Sequence, residues 1–421
     1  MKSSFLLLVA SLLSLSAAHA QPRARKVVFI IADGIPADVL EKAPAPNIKK
    51  VIATGTYLPA HVGGDLGTYT QTPTISAPGY MDLITGTWGY KHNVWDNAVK
   101  APNYQYKNIF RLLKDARPAA KIGIFSTWLD NRTKLVGEGL PAAGNLKFDY
   151  HADGYELDTV AFPHDKGSLY THNIDEKVVA EAAQCLRQNA PDLSWVYLEY
   201  TDDMGHRYGD SEQQRRAVGY VDEQVGKLWA AIQERTQHHA EDWLLVLTTD
   251  HGRDAATGRN HGGQSARERA TWLVLSDKKT NVHAQHPPVS ITDVLPTIAR
   301  FMQLPLPQAT QRELDGVPLL GPVSLAAPQL VAASDSLRLR WTALGGKAEK
   351  VKIWAAPTNK FKTGGVDEYV LLGTVPLARQ RAAFSRAAYP AEFYKIVLEG
   401  ERNTVNTWLM PAGPPRASGA D

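Results

Sequence analysis

Five short runs, Val27–Ala32, Lys121–Ser126, Leu193–Tyr200, Trp243–Thr249 and Thr271–Ser276, are almost continuously apolar and rich in β-branched residues. A strand with one wet face alternates apolar and polar residues, whereas a strand covered on both faces does not. Between these runs lie segments of helical period, at 108–116, 174–189 and 211–236. Buried strands joined by helices predict an α/β domain with a mostly parallel sheet flanked by helices. Ligands of such sheets gather beyond the carboxyl ends of the strands. Asp33, Thr201-Asp202 and Asp250-His251 each come directly after a predicted strand, so acidic positions far apart in sequence are expected to meet at one edge.

The pattern stops after Leu314-Asp315-Gly316-Val317-Pro318-Leu319, and Gly321-Pro322 opens a different texture. Runs at 337–341, 350–354, 369–372 and 394–398 read as short strands between turns, a β-sandwich similar in rhythm to a fibronectin type III domain. The expected organisation is residues 21–322 as the α/β domain, 323–412 as the sandwich and 413–421 as a flexible tail. Residues 1–20 read as a signal peptide: Lys2, an apolar stretch from Phe5 to Leu15, and Ala18-His19-Ala20 as the cleavage site. Gln21 then begins the mature chain, expected to be periplasmic or secreted. The apolar run is shorter than the roughly 20 residues of a membrane anchor, and no later segment spans a bilayer, so no membrane insertion is expected. Cys185 is the only cysteine, which excludes an internal disulfide. With 421 residues, 44% apolar and 21% charged, the chain has the composition of a globular protein of two or three domains. Its 46 Lys and Arg against 43 Asp and Glu leave a charge of +3, too balanced for nucleic acid as a structural partner. Oligomeric state is left open.

Asp202-Asp203-Met204-Gly205-His206 sets a carboxylate and an imidazole four apart, read as loop residues after a strand, where they can converge on one metal ion. Taken alone, such a pair is equally a solvated loop. Thr249-Asp250-His251-Gly252 adds an adjacent Asp and His at a strand end, and Asn260-His261-Gly262-Gly263 a further histidine on a glycine-rich loop. With Asp33-Gly34 the three Asp and three His form a ligand set for two metals. Oxygen and imidazole donors without thiolate suit Zn²⁺, Mn²⁺ or similar ions, and two ions roughly 4 Å apart clamp an in-line displacement at phosphorus.

The stretch from Pro73-Thr74-Ile75-Ser76-Ala77-Pro78-Gly79-Tyr80 through Leu83-Ile84-Thr85-Gly86 to His92-Asn93-Val94-Trp95-Asp96-Asn97 resembles the nucleophile segment of the alkaline phosphatase superfamily, in its nucleotide pyrophosphatase/phosphodiesterase branch. Gly205-His206-Arg207-Tyr208-Gly209, Asp293 to Thr297 and Asp315-Gly316 are similar to later motifs of that branch, so the likeness covers about residues 26 to 320. The resemblance implies an alkaline phosphatase-like fold, a nucleophile at Ser76 and a phosphoryl-binding Asn at Asn97. It also implies one metal on Asp33, Ser76, Asp250 and His251, and a second on Asp202, His206 and His261, most naturally zinc. The expected protein is an exported dimetal hydrolase of small-molecule phosphate esters, acting through a phosphoseryl intermediate and preferring diesters.

Departures from the pattern keep other readings open. Ala77 replaces an aromatic that stacks on the nucleotide base in many pyrophosphatases. Tyr80 stands where the sulfatase signal has Arg, which argues against a formylglycine sulfatase. Ser126-Thr127-Trp128 lacks the cations with which some monoesterases of the superfamily grip extra phosphoryl charge, though Arg132 and Lys134 lie just beyond. The alternatives are a phosphomonoesterase, a phosphonate or sulfate ester hydrolase, and, from another class, a non-catalytic binding protein whose working part is the sandwich. Arg253 and Arg259 read equally as substrate contacts or exposed ion pairs. Asp203 reads as a support to the ligand beside it, Trp88, Trp95 and Trp128 as cleft lining or packing, and His238-His239 as a solvated helix end.

Overall fold

The computed structural model describes residues 23–286, 288–333 and 335–411. The leader and Gln21 fall outside the described residues, as does the tail 413–421. Eight strands form one sheet: β1 Ala24–Ala32, β2 Thr56–His61, β3 Ile122–Ser126, β4 Tyr150–Ala152, β5 Leu193–Leu198, β6 Glu241–Thr248, β7 Ala270–Leu275 and β8 Val289–Ser290. Their order is β4-β3-β5-β1-β6-β7-β2-β8. The pairs from β4 through β6 are parallel, and β7 alone is reversed, antiparallel to both β6 and β2. A parallel connection needs a crossover, whereas the turn from β6 back into β7 needs only a loop.

Along β1, Val27, Phe29 and Ile31 pack with Ile84, Phe110 and Leu295 in one core, while Val28, Ile30 and Ala32 pack with Val178, Val221 and Leu228 in another. Both faces of the strand are covered, which is why its sequence shows no alternation. Each such Val, Ile or Phe contributes about 1.5–3 kcal/mol on burial. The helices Leu169–Gln188 and Glu212–His238 cover the second face; Ser76–Thr85, Ile109–Ala116 and Val294–Phe301 cover the first. Side chains start two of them: Asn108 accepts the N–H of Arg111 and Ser211 that of Gln214.

One expectation is corrected here. The strand predicted to Tyr200 ends at Leu198, and Asp202 and His206 lie not on a loop but on a helix, Tyr200–Tyr208. Asp202 and Asp203 in its first turn and His206 and Arg207 in its last suit the helix dipole, and a spacing of four sets Asp202 and His206 on one face.

Beyond the sheet come β9 Leu325–Ala332, β10 Ser336–Ala343, β11 Lys350–Ala356, β12 Val370–Pro376, β13 Arg381–Ser385, β14 Tyr394–Glu399 and β15 Thr404–Leu409. They form two antiparallel sheets, β13-β10-β9 and β12-β11-β14-β15, closed over Leu337, Leu339, Trp341, Ile353, Ile396 and Leu398. A buried polar network ties this sandwich to the α/β unit. Lys91 Nζ donates to Asp315 at 2.6 Å and to Asn406 Oδ1 at 2.9 Å, and Lys395 Nζ donates to Glu313 at 2.5 Å and Asp367 at 2.9 Å. The Trp408 ring stacks on Tyr69 with centroids 5.2 Å apart.

Candidate active site

The adjacent strands β5, β1 and β6 end together, and the segment leaving each of them contributes to one site. Asp33 leaves β1, the Tyr200–Tyr208 helix leaves β5, and the loop from β6 to β7 carries Asp250, His251 and His261. Ser76 enters from the opposite core as the first residue of its helix, so its hydroxyl lies at a helix N-terminus. Gly79 lets that helix sit close: a Cβ there would lie 2.9 Å from the carbonyl oxygen of Asp250.

Two groups of potential metal donors result. Asp33, Asp250 and His251 are all buried, while Asp202, His206 and His261 are more open; in each group the donor atoms lie within 4.8 Å of one another. His251 Nε2 is 3.3 Å from both Asp33 Oδ1 and Asp250 Oδ2, and 3.4 Å from Ser76 Oγ. His206 Nε2 is 3.2 Å from Asp202 Oδ2 and 3.0 Å from His261 Nε2. The other ring nitrogens define the tautomers: His251 Nδ1 donates to the carbonyl of Gly252 at 3.0 Å, and His261 Nδ1 to that of Thr74 at 2.9 Å. Both rings therefore turn Nε2 toward the carboxylates.

The electrostatics of the two groups differ. Burial and the neighbouring Asp33 carboxylate push Asp250 well above the usual carboxylate range. Burial would lower His251, but Asp250, Asp33 and Asp202 raise it to about 9. Burial and the nearby His251 bring His261 down to about 3. Asp33 Oδ1 and Asp250 Oδ2 are buried without a hydrogen-bond partner, although each faces His251. Unpartnered carboxylate oxygens beside oriented imidazoles are donors for a divalent cation, so the residues present fit a pair of metal ions.

The residues singled out in the sequence as nucleophile, phosphoryl-binding group and metal ligands all lie at this edge. Asn97, exposed at the mouth, accepts the N–H of Ala77 at 2.9 Å on its Oδ1, which leaves its Nδ2 amide to donate. Other readings resolve differently. Arg253 is not an exposed ion-pair residue: it is 1% accessible, and its guanidinium is paired with Asp202. Asp203 accepts the Thr171 hydroxyl at 2.7 Å and belongs to neither group. Trp88 is buried packing, and its backbone N–H donates to Asp315 at 3.0 Å. Ala77 is fully buried and offers no stacking surface. Arg132 is bound between Asp153 and Glu138, and Lys134 pairs with Asp130 at 2.7 Å.

Sequence reasoning missed two phenols. Tyr80 and Tyr197, both buried, donate their hydroxyls to Asp33 Oδ2, Tyr197 at 2.7 Å, which aims the other oxygen into the site. Tyr80 lies one helical turn past Ser76, a spacing that could have marked it as a neighbour. Nothing in the apolar run of β5 marks Tyr197.

The family model for type I phosphodiesterase / nucleotide pyrophosphatase matches residues 27–297. Ectonucleotide pyrophosphatase/phosphodiesterase family member 7 of Mus musculus is 24% identical over 247 residues, 55% of this chain and 50% of that protein. Family member 1 of Homo sapiens is 23% identical over 205 residues, 46% of this chain and 21% of that protein. The chain spans half or less of the length of these curated relatives. Among solved structures, the match to murine ectonucleotide pyrophosphatase / phosphodiesterase 5 covers 67% of this chain and 96% of that one, with a TM-score of 0.47 and 15% identity.

Proposed function

The chain belongs to the type I phosphodiesterase / nucleotide pyrophosphatase family, and from that premise we propose that it is an exported dimetal hydrolase of phosphoric diesters, with Ser76 as nucleophile and Asn97 as the residue that binds the phosphoryl group. The observation that carries this is the meeting of two metal-donor groups at a serine hydroxyl on a helix N-terminus. Asp33, Asp250, His251 and Ser76 would hold one divalent cation and Asp202, His206 and His261 the other. Zinc would suit these donors, and such a pair, when bound, would stabilise the serine oxygen and polarise the phosphoryl group.

The chain's own residues supply the rest. The helix N-terminus at Ser76 favours negative charge on the attacking oxygen. Asn97 presents its amide to a non-bridging oxygen and is held in that orientation by the Ala77 N–H. Ser76 Oγ displaces the leaving oxygen in line, and water then hydrolyses the seryl ester to release the product and restore the hydroxyl.

A monoester carries one more negative charge at the transferred group than a diester, and gripping it calls for further cations. Arg132, Lys134 and Arg253 all have carboxylate partners already, which supports diesters. The buried Ala77 supports a substrate that need not contain a nucleobase. Export rests on the leader pattern of residues 1–20, which supports a periplasmic or secreted protein.

The test compares kcat/KM for a bis-nitrophenyl phosphate, a nitrophenyl phosphate, a nitrophenyl phosphonate and a nitrophenyl sulfate. The diester is expected to lead. A monoester preference would replace the reading by a phosphatase, a sulfate preference would remove the phosphoester class, and metal-free protein without any esterase activity would leave a binding protein.

A further inference from the structure

We propose that Arg253 makes the two cation sites unequal, so that Asp202, His206 and His261 hold an exchangeable ion while Asp33, Asp250 and His251 hold theirs tightly. The inference rests on the dimetal reading above and concerns how the chain divides charge between its sites.

The guanidinium is built into the site. Its Nε donates to the carbonyl of Gly34 at 3.1 Å, Nη1 to that of Arg259 at 2.9 Å, and Nη2 to both the carbonyl of Asp202, at 2.9 Å, and Asp202 Oδ1. Two glycines in the ligand-bearing segments leave room for it. A Cβ at Gly205 would lie 2.2 Å from its Cζ, and one at Gly34 would lie 2.7 Å from Nη2. No side chain larger than hydrogen fits either place while Arg253 keeps this position.

The electrostatic consequence is direct. An ion on Asp33 and Asp250 meets two carboxylates, each with an oxygen free of hydrogen bonds. An ion on Asp202 meets one carboxylate whose Oδ1 is already engaged by a buried cation, together with two imidazoles. Repulsion from the guanidinium and loss of one acceptor oxygen both weaken the second site, and a filled first site adds to the repulsion. Access also differs: the His206 side chain is 48% exposed, whereas His251 is fully enclosed. The second ion can therefore leave while the first stays, and turnover would follow the free concentration of the cation.

The full chain, stripped with a chelator and dialysed, is titrated with Zn²⁺ by calorimetry, with bound equivalents counted by native mass spectrometry. The expected result is two equivalents in two steps whose Kd values differ by about tenfold or more. Arg253→Gln keeps a hydrogen-bond donor and removes the charge, so the weaker step should tighten by about tenfold while the tighter one barely moves. Arg253→Lys keeps the charge and should keep the separation, which preserves the test if the Gln variant does not fold. Two equal steps in the unaltered protein, a weaker step that Arg253→Gln leaves unchanged or loosens, or a separation that Arg253→Lys abolishes would each overturn the inference. Fewer than two equivalents at saturating Zn²⁺ would instead overturn the dimetal reading on which it stands.

Discussion

At the scale of the residue, the site sets Asp33 and Asp250 side by side in a buried space, where burial and the Asp33 carboxylate raise the pKa of Asp250. Ser76→Ala is expected to reduce diester turnover to background while leaving the thermal transition in place, as judged by circular dichroism beside the assay. Asp250→Asn removes a donor whose Oδ2 has no hydrogen-bond partner, so bound metal measured by elemental analysis should fall along with activity. Away from the metal-donor groups, burial lowers the pKa of His283, but the Asp293 carboxylate 3.1 Å away raises it further, for a net upward shift. Because the folded value lies above the unfolded 6.5, that ion pair stabilises fully below the unfolded value and fades as pH rises through the folded one. His283→Gln should therefore cost about 1 kcal/mol at pH 5.5 and much less at pH 9, read from paired denaturation curves. Equal losses at both values would show that the pair does not titrate as described.

At the scale of the element, the Ser76–Thr85 helix and the loop after β6 are held in register by one close approach. Gly79→Ala would place a methyl 2.9 Å from the Asp250 carbonyl oxygen. The Ser76–Thr85 helix must then shift by a few tenths of an ångström, and Ser76 moves away from His251. An activity loss on the order of 10²-fold with only a modest fall in Tm is expected, since small misplacements at a reacting centre cost more in rate than in stability. A drop in Tm without selective loss of kcat would mean that the contact serves packing only. The Tyr200–Tyr208 helix shows the same dependence on neighbours. Its sequence, polar and short after an apolar strand, reads as a loop, and only its packing on the Glu212–His238 helix, with Met204 and Gly205 buried, makes it helical.

At the scale of the whole molecule, the sandwich and the α/β unit share buried charges. The Lys395 side chain of the sandwich is fully enclosed and its partner Glu313 in the α/β unit only 3% exposed. Lys395→Met would strand the Glu313 and Asp367 carboxylates and is expected to cost about 3–5 kcal/mol in chemical denaturation, with β-sheet and helix signals lost together. Separate transitions for the two parts would contradict a shared network. The sequence alone determined the layered sheet, because covered strands must be apolar throughout, and the edge at which Asp33, Asp202 and Asp250 lie, because each comes just after such a run. It also determined four of the seven described strands after Gly321, β10, β11, β12 and β14, and in β10 and β11 alternation reports one buried face. Only the tertiary structure decided that β7 runs backwards, since a strand buried on both faces reads the same in either direction. The structure likewise decided that Tyr80 and Tyr197 aim Asp33 and that Arg253 engages Asp202. A phenol in a core or an arginine on a loop has no periodicity that announces its partner, and the partner is defined only when distant strands close around it.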